Sequence, residues 1–326
     1  MAETTVKKGR SVAKANKALE VVQEEVIVKT EELTTGIIAI DNGGYNTKIF
    51  SETMEEPFVM PSQKGLGHSK GRQFQGALPE GSYDVEWNGK HYFFGLLMRD
   101  SRLMTSYTNT KATPYFTLSA LLGVALYGYD INNVITCVPY KRYTETEINA
   151  IKEELTGNHT LFINGEEYSF EIQDVLVVSE ELIIPYGYEV SEGITRWINL
   201  GSRTIGYATS VYSEADDWFD VDNNSSGTIE REGLDITKIL STVDGGEIDF
   251  DDYVSGLANT LLPIFSEDDV VKIAGGGAKV DELIESIKKV FPHASAVEEP
   301  VTLQVESMLK FALDYYAESH DESEGE

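Results

Sequence analysis

Cysteine is almost missing from this sequence. Cys137 stands alone, which excludes an intramolecular disulfide and any cysteine-rich metal site. A reducing, cytoplasmic setting is expected. Histidine is sparse: His68, His91, His159, His293 and His320 lie far apart, without the paired spacing of a zinc centre. Long hydrophobic runs are also lacking. The longest, Leu118 to Tyr129, stops at about 12 residues and is broken by Gly123 and Gly128, whereas a membrane span needs about 20. The basic start, with Lys7, Lys8 and Arg10, is followed by no apolar segment, so no secretory signal is expected. Positive charge is in short supply, with 26 Lys and Arg against 55 Asp and Glu and a net charge of -29. Most of such a surface would repel a phosphate backbone, which argues against a DNA-coating protein while leaving room for a local basic patch. Two glycine signatures are absent as well. There is no G-x-x-x-x-G-K-[ST] loop and no G-x-G-x-x-G fingerprint.

What is present reads as a folded α/β chain. At 326 residues the length fits about two domains, and 41% hydrophobic with 25% charged residues is ordinary globular composition. Residues 1–35 stand apart, basic first (Lys7, Lys8, Arg10, Lys14, Lys17) and then acidic (Glu20, Glu24, Glu25, Glu31, Glu32). They read as an extension, either a simple tail or a docking arm. From Gly36 the pattern changes. Gly36 to Asp41 is a buried strand running into a tight turn, and Tyr45 to Phe50 returns from it. Asn88-Gly89 and Asn164-Gly165 mark hairpins. Thr113-Pro114 caps a helix to Tyr129, and Thr144 with Glu147 forms a capping-box spacing for a helix to Leu155. Asn133 to Val138 and Val175 to Ser179 are strands. The second half repeats the plan: a strand from Arg196 to Gly201, a returning strand from Thr204 to Tyr212, and a helix from Phe250 to Leu262. A strand from Asp269 to Ala274 and helices at Val280 to Val290 and Val301 to Ala317 follow. The acidic end, Glu318 to Glu326, is expected to fray. Two layered α/β domains follow from this alternation.

Three glycine-rich corners could carry chemistry. Asp41 to Lys48 combines a strand-end acid, Gly43, Gly44, Asn46, Thr47 and a lysine. Its turn N–H groups make an anion nest, Asp41 suits a water-coordinated Mg²⁺, and Lys48 can reach a phosphate. Asn199 to Thr204, with Gly201, Ser202 and Arg203, has the same context. Gly275, Gly276 and Gly277 form a corner between a strand and a helix, suited to a flat base or ribose. Each alone is ordinary turn chemistry; their order is more specific.

Two phosphate hairpins followed by a glycine corner and a last long helix resemble the actin, Hsp70 and sugar-kinase superfamily. Within it, the stretch from Gly36 to Ala317 resembles the ParM-type plasmid-segregation ATPases. Trp87 to Gly95 is similar to their N-terminal hairpin, and Glu181 to Val190 to the stretch that holds their catalytic glutamate. Asn133 to Pro139 looks like the first connecting segment. The last helix, around Leu303 to Tyr316, stands where the second belongs but lacks its small-residue signature. The resemblance implies an actin-like fold, with two RNase H-like domains flanking a nucleotide cleft. It places an extension at 1–35, a first domain at 36–195 with a small inserted subdomain, and a second domain at 196–300. A helix at 301–317 returns to the first domain, ahead of an acidic tail at 318–326.

The same resemblance implies ATP or ADP with Mg²⁺ as ligands. Asp41 would hold the metal through water, and Lys48 would contact phosphates. The backbone at Gly43, Gly44, Gly201 and Ser202 would cradle them, with Asn46, Thr47, Arg203, Thr204 and Lys238 in the same binding set. Gly275 to Gly277 would pack on adenosine, and Glu181 would position the attacking water. Glu180 stays open for that role, because the spacing to Pro185 is one residue longer than the family pattern. One departure is plain: the family's second loop starts with Asp, and this chain has Asn199, which keeps the shape and loses a negative charge. Hydrolysis slower than in an Asp-bearing relative is expected, with nucleotide binding largely kept.

Three functions fit. The first is a filament-forming ATPase that partners itself and reaches plasmid DNA through a basic adaptor on a centromere-like site, with no membrane and no direct DNA contact. The second is a small-molecule kinase of the same superfamily, for which no substrate-pocket set is evident. The third is a non-catalytic nucleotide-sensing scaffold, which Asn199 alone encourages.

Overall fold

The computed structural model describes residues 33–66, 78, 80–95, 102–103, 110–189, 191–230 and 249–323. Most of the N-terminal extension, residues 67–77 of the expected insertion, Lys238 and the last three residues lie outside the described residues.

The first-half strands are β1 (Thr35–Asn42), β2 (Asn46–Ser51), β3 (Phe58–Pro61), β4 (Lys64–Leu66), β5 (Tyr83–Trp87), β6 (Lys90–Phe94), β7 (Arg102–Leu103), β8 (Ile131–Val138), β9 (Gly157–Ile163) and β10 (Glu166–Ser179). They form one sheet in the order β3-β2-β1-β8-β10-β9-β5-β6-β4-β7. The second sheet holds β11 (Gly193–Leu200), β12 (Thr204–Ser213), β13 (Trp218–Val221), β14 (Gly227–Glu230), β15 (Val270–Ala274) and β16 (Ala294–Ala296). Its order is β13-β12-β11-β15-β16, with β14 also paired to β12. Among the described residues the α-helices are α1 (Pro114–Tyr127), α2 (Glu145–Leu155), α3 (Glu180–Ile183), α4 (Phe250–Leu261), α5 (Asp281–Val290) and α6 (Leu303–Ser323).

β1 is buried from Gly36 to Asp41 without alternation, the mark of a strand covered on both faces. It pairs antiparallel with β2 and parallel with β8. α1 covers one face. Its N-cap Thr113 accepts a hydrogen bond from the Phe116 N–H, with Pro114 in the first turn. Leu118, Leu121 and Leu122 then join Ile38, Ile40 and Ile49 in one core. α6 covers the opposite face, where Val305, Met308 and Leu309 pack with Ile37, Ala39 and Ile135. Each of these three side chains contributes about 1.5–3 kcal/mol by leaving water.

The second sheet is built alike. β11 pairs antiparallel with β12 and parallel with β15. α4 and α5 fill one face, with Val254, Leu257, Leu261, Leu283 and Ile287 against Ile198, Leu200 and Ile273. On the other face Leu303 packs with Ile184, Trp197 and Ala274. The first turn of α6 therefore touches the second sheet, and its following turns touch the first. α6 runs to Ser323, beyond Ala317 and through residues expected to fray. The helix keeps its register with the sheet well before that point, so the acidic turns extend a structure already anchored.

Candidate functional site

The two glycine hairpins repeat each other in detail. In the first, β1 and β2 place Asp41 opposite Lys48 and Asn42 opposite Thr47, and the turn closes with Gly43 N–H donating to the Asn46 carbonyl at 3.0 Å. In the second, β11 and β12 place Asn199 opposite Gly206, and Gly201 N–H donates to the Thr204 carbonyl at 3.1 Å. A Cβ on Gly43 would stand 2.8 Å from the Asn46 carbonyl oxygen, and one on Gly201 would stand 2.8 Å from that of Thr204. Glycine is required at both corners for the same steric reason. The hairpins also meet. A Cβ at Gly44 would lie 2.5 to 2.8 Å from the Arg203 side chain, so the arginine stem rests on the first loop.

Asp41 is buried and forms an ion pair with Lys48 at 2.5 Å. Burial pushes its carboxyl up, but the charges of Lys48 and Lys111, with hydrogen bonds from Lys48 and Cys137, outweigh this and hold it below the ordinary range. Thr47 donates to Asn42 Oδ1 at 2.9 Å and shares a hydrogen bond with Ser62 at 3.0 Å. These contacts fix the walls of the loop on either side of its tip, Gly43 to Asn46.

Between the hairpins lies α3, whose first two residues are both acids. Ser179 caps it. Glu180 accepts from Lys111 Nζ at 2.5 Å, and the same ammonium donates to the Cys137 carbonyl at 3.0 Å. Burial opposes the Lys111 charge, but Glu180, Cys137 and Asp41 raise its pKa well above the ordinary lysine value. Glu181 turns the other way. It accepts from Tyr140 N–H at 2.6 Å, from Ser179 at 3.1 Å and from the Thr228 hydroxyl. Its carboxyl abuts Gly206, where a Cβ would stand 2.6 Å from Glu181 Cγ. Burial, then the neighbouring Glu180 charge, pushes Glu181 up to about 8. Glu180 thus serves the first hairpin and Glu181 the second.

Asp41, Cys137 and Glu180 bring their ligand atoms within 4.8 Å of one another. A hard cation such as Mg²⁺ prefers oxygen, so the two carboxylates, not the thiol, fit it. Gly275 has φ 84°, and a Cβ there would strike Asn199 Oδ1 at 2.5 Å. That glycine lets the third corner press against the end of β11, while a Cβ on Gly276 would meet nothing within 4 Å. The three corners thus meet through Asn199 and Arg203.

Two lysines at the site escaped the sequence reading. Lys111 has no motif around it. Lys64 is buried, donates to Ser119 Oγ, and faces the rings of Phe94 and Tyr115 at 5.8 and 5.9 Å. Burial, then the Arg203 charge, lowers it to about 7. Gln304 and Cys137 also lie at the site. No local signal marks any of the four, because their partners are remote in sequence.

Comparisons with known proteins bear on the fold. The family described as actin like proteins, N terminal domain, matches residues 39–181. No curated protein sequence matches the chain. Among solved structures, an AlfA filament bound to AMPPNP is 17% identical with a TM-score of 0.63, covering 88% of this chain and 99% of that one. A 15-stranded ParM filament from Clostridium botulinum is 15% identical with a TM-score of 0.68, covering 86% and 100%. An archaeal actin homolog is 12% identical with a TM-score of 0.66, covering 86% and 99%. No described helix is long and apolar enough to cross a membrane. Residues 39–181 thus match an actin-like N-terminal domain, and the chain as a whole has an actin-like fold, similar to that of the ParM and AlfA filament proteins.

Proposed function

We propose that the chain is an ATPase that assembles into filaments when ATP is bound and segregates plasmid DNA through an adaptor protein. The observation that carries this reading is the facing pair of hairpins, closed alike at Gly43 and Gly201, with Arg203 lying over Gly44. Their tips offer backbone N–H groups to the β- and γ-phosphates. Lys48, paired with Asp41 at 2.5 Å, adds a point charge. Asp41 and Glu180 supply oxygen ligands for Mg²⁺, directly or through water, and the metal would neutralise phosphate charge. Thr47, Asn46, Ser202, Arg203 and Thr204 complete the phosphate walls, and Gly275 to Gly277 form the adenosine corner. Glu181, beside Gly206, orients the attacking water. Asn199 holds no charge where the family has Asp, so turnover is slow.

Closure of the two sheets on nucleotide would select one subunit shape, and that shape would assemble. The net charge of -29 favours a basic adaptor over direct DNA contact. Equilibrium binding of a fluorescent ATP analogue with Mg²⁺ tests the ligand assignment. Micromolar binding to wild type, weakened about tenfold or more in Lys48→Ala, is expected. Equal binding by both proteins would overturn the placement of the phosphates.

A further inference from the structure

α6 carries the polar side chain of Gln304 into the space between the two sheets. Gln304 is buried, between Leu303, which packs on the second sheet, and Val305, which packs on the first. Both ends of its amide are used. Its Oε1 accepts from Asn199 Nδ2 at 3.2 Å, and its Nε2 donates to Cys137 Sγ at 3.1 Å. The thiol in turn donates to Asp41 Oδ1 at 3.5 Å. Donors therefore run in one direction, from Asn199 through Gln304 and Cys137 to a buried carboxylate. Such chains polarise one another when they end on an anion.

We propose that Gln304 is a positioning residue that joins the second phosphate hairpin to the first, through Asn199 on one side and Cys137 with Asp41 on the other. The two halves of the cleft are then set as one unit. The pairing also gives Asn199 a reason. An aspartate at that position would present acceptors only, and Gln304 would have to turn its amide to donate to it. Cys137 would then face a carbonyl oxygen and lose its donor. Asn199 and Gln304 are thus matched to each other, a neutral pair that keeps the donor chain intact. This rests on the nucleotide reading for its consequence, but the chain itself is a property of the protein without nucleotide.

The single thiol provides the probe. The modification rate of Cys137 by a small aromatic disulfide is measured in wild type, Asn199→Asp, Gln304→Met and the double variant, with and without Mg-ATP. Cys137 is fully buried, so the reagent reaches it only when the surrounding structure opens; without nucleotide, Gln304→Met is expected to raise the rate about fivefold, because one lost buried hydrogen bond makes that opening easier. Asn199→Asp should raise it comparably, although residue 199 does not touch the thiol, and should add nothing in the Gln304→Met background. If Gln304→Met does not fold, Gln304→Asn replaces it: its neutral amide is one methylene too short to reach both Asn199 and Cys137, and it should give the same rise. Mutations whose effects add, or an Asn199→Asp rate equal to wild type, overturn the proposal. An effect of Mg-ATP on the wild-type rate reports separately on the nucleotide reading, so the two can fail independently.

Discussion

Replacing Glu181 by glutamine should change how stability depends on pH. The carboxyl is 1% exposed and is pushed from its ordinary 4.5 up to about 8, first by burial and then by the Glu180 charge. The unfolded chain releases this proton near the ordinary value, whereas the folded chain keeps it to about pH 8. Between those two values the folded state binds the extra proton, so stability falls as pH rises and levels off above about 8. Glutamine has nearly the same shape, still accepts from the Tyr140 N–H, and does not titrate. Over the roughly two pH units between 6 and 8, wild type should therefore lose about 2–3 kcal/mol relative to Glu181→Gln. That corresponds to a gap in melting temperature that widens by roughly 5 °C or more. Calorimetric melts at pH 6, 7, 8 and 9 at fixed salt would read it directly. Melting curves that stay parallel from pH 6 to 9 would refute the claim that Glu181 is held protonated.

Three further perturbations follow from the same geometry. Lys111→Met strands the Glu180 and Asp41 charges and should cost about 3–5 kcal/mol in denaturant unfolding; adding Glu180→Gln should recover part of it, and no recovery would contradict the ion-pair account. Gly44→Ala drives a methyl group into the Arg203 stem, which can swing aside, so stability should change by less than about 1 kcal/mol. Nucleotide affinity should nevertheless drop about fivefold, and unchanged affinity in a titration would mean that the hairpins need not touch. Asn199→Asp should speed phosphate release about tenfold with little change in nucleotide affinity, and an unchanged rate would remove position 199 from the hydrolysis step.

The parts of this molecule written in local chemistry were legible in its sequence. Both hairpins announce themselves by glycine and small polar residues at a strand end, and the closing contacts join residues only three positions apart, Gly43 with Asn46 and Gly201 with Thr204. The Thr113 cap and the Thr144 cap, whose hydroxyl accepts from Glu147 N–H, are of the same kind. The strand expected at Val175 to Ser179 in fact begins at Glu166. Its polar first half pairs with β9 as a half-wet hairpin, so it lacks the apolar run that marks a buried strand. Contacts that cross the chain left no trace. Gln304 and Cys137 are 167 positions apart and Lys111 and Glu180 are 69 apart. The division between Glu180 and Glu181 was illegible for a different reason: neighbours on a helix differ by about 100° in direction, and which of them faces which hairpin depends on how α3 docks. Lys238 lies outside the described residues.

The central claim, a filament whose assembly is driven by ATP, is tested most directly by high-speed pelleting with Mg-ATP, Mg-ADP or no nucleotide, with phosphate release followed in the same tubes. The account predicts that protein pellets with Mg-ATP, stays soluble without nucleotide, and releases phosphate slowly. Protein that stays soluble in every tube would contradict it.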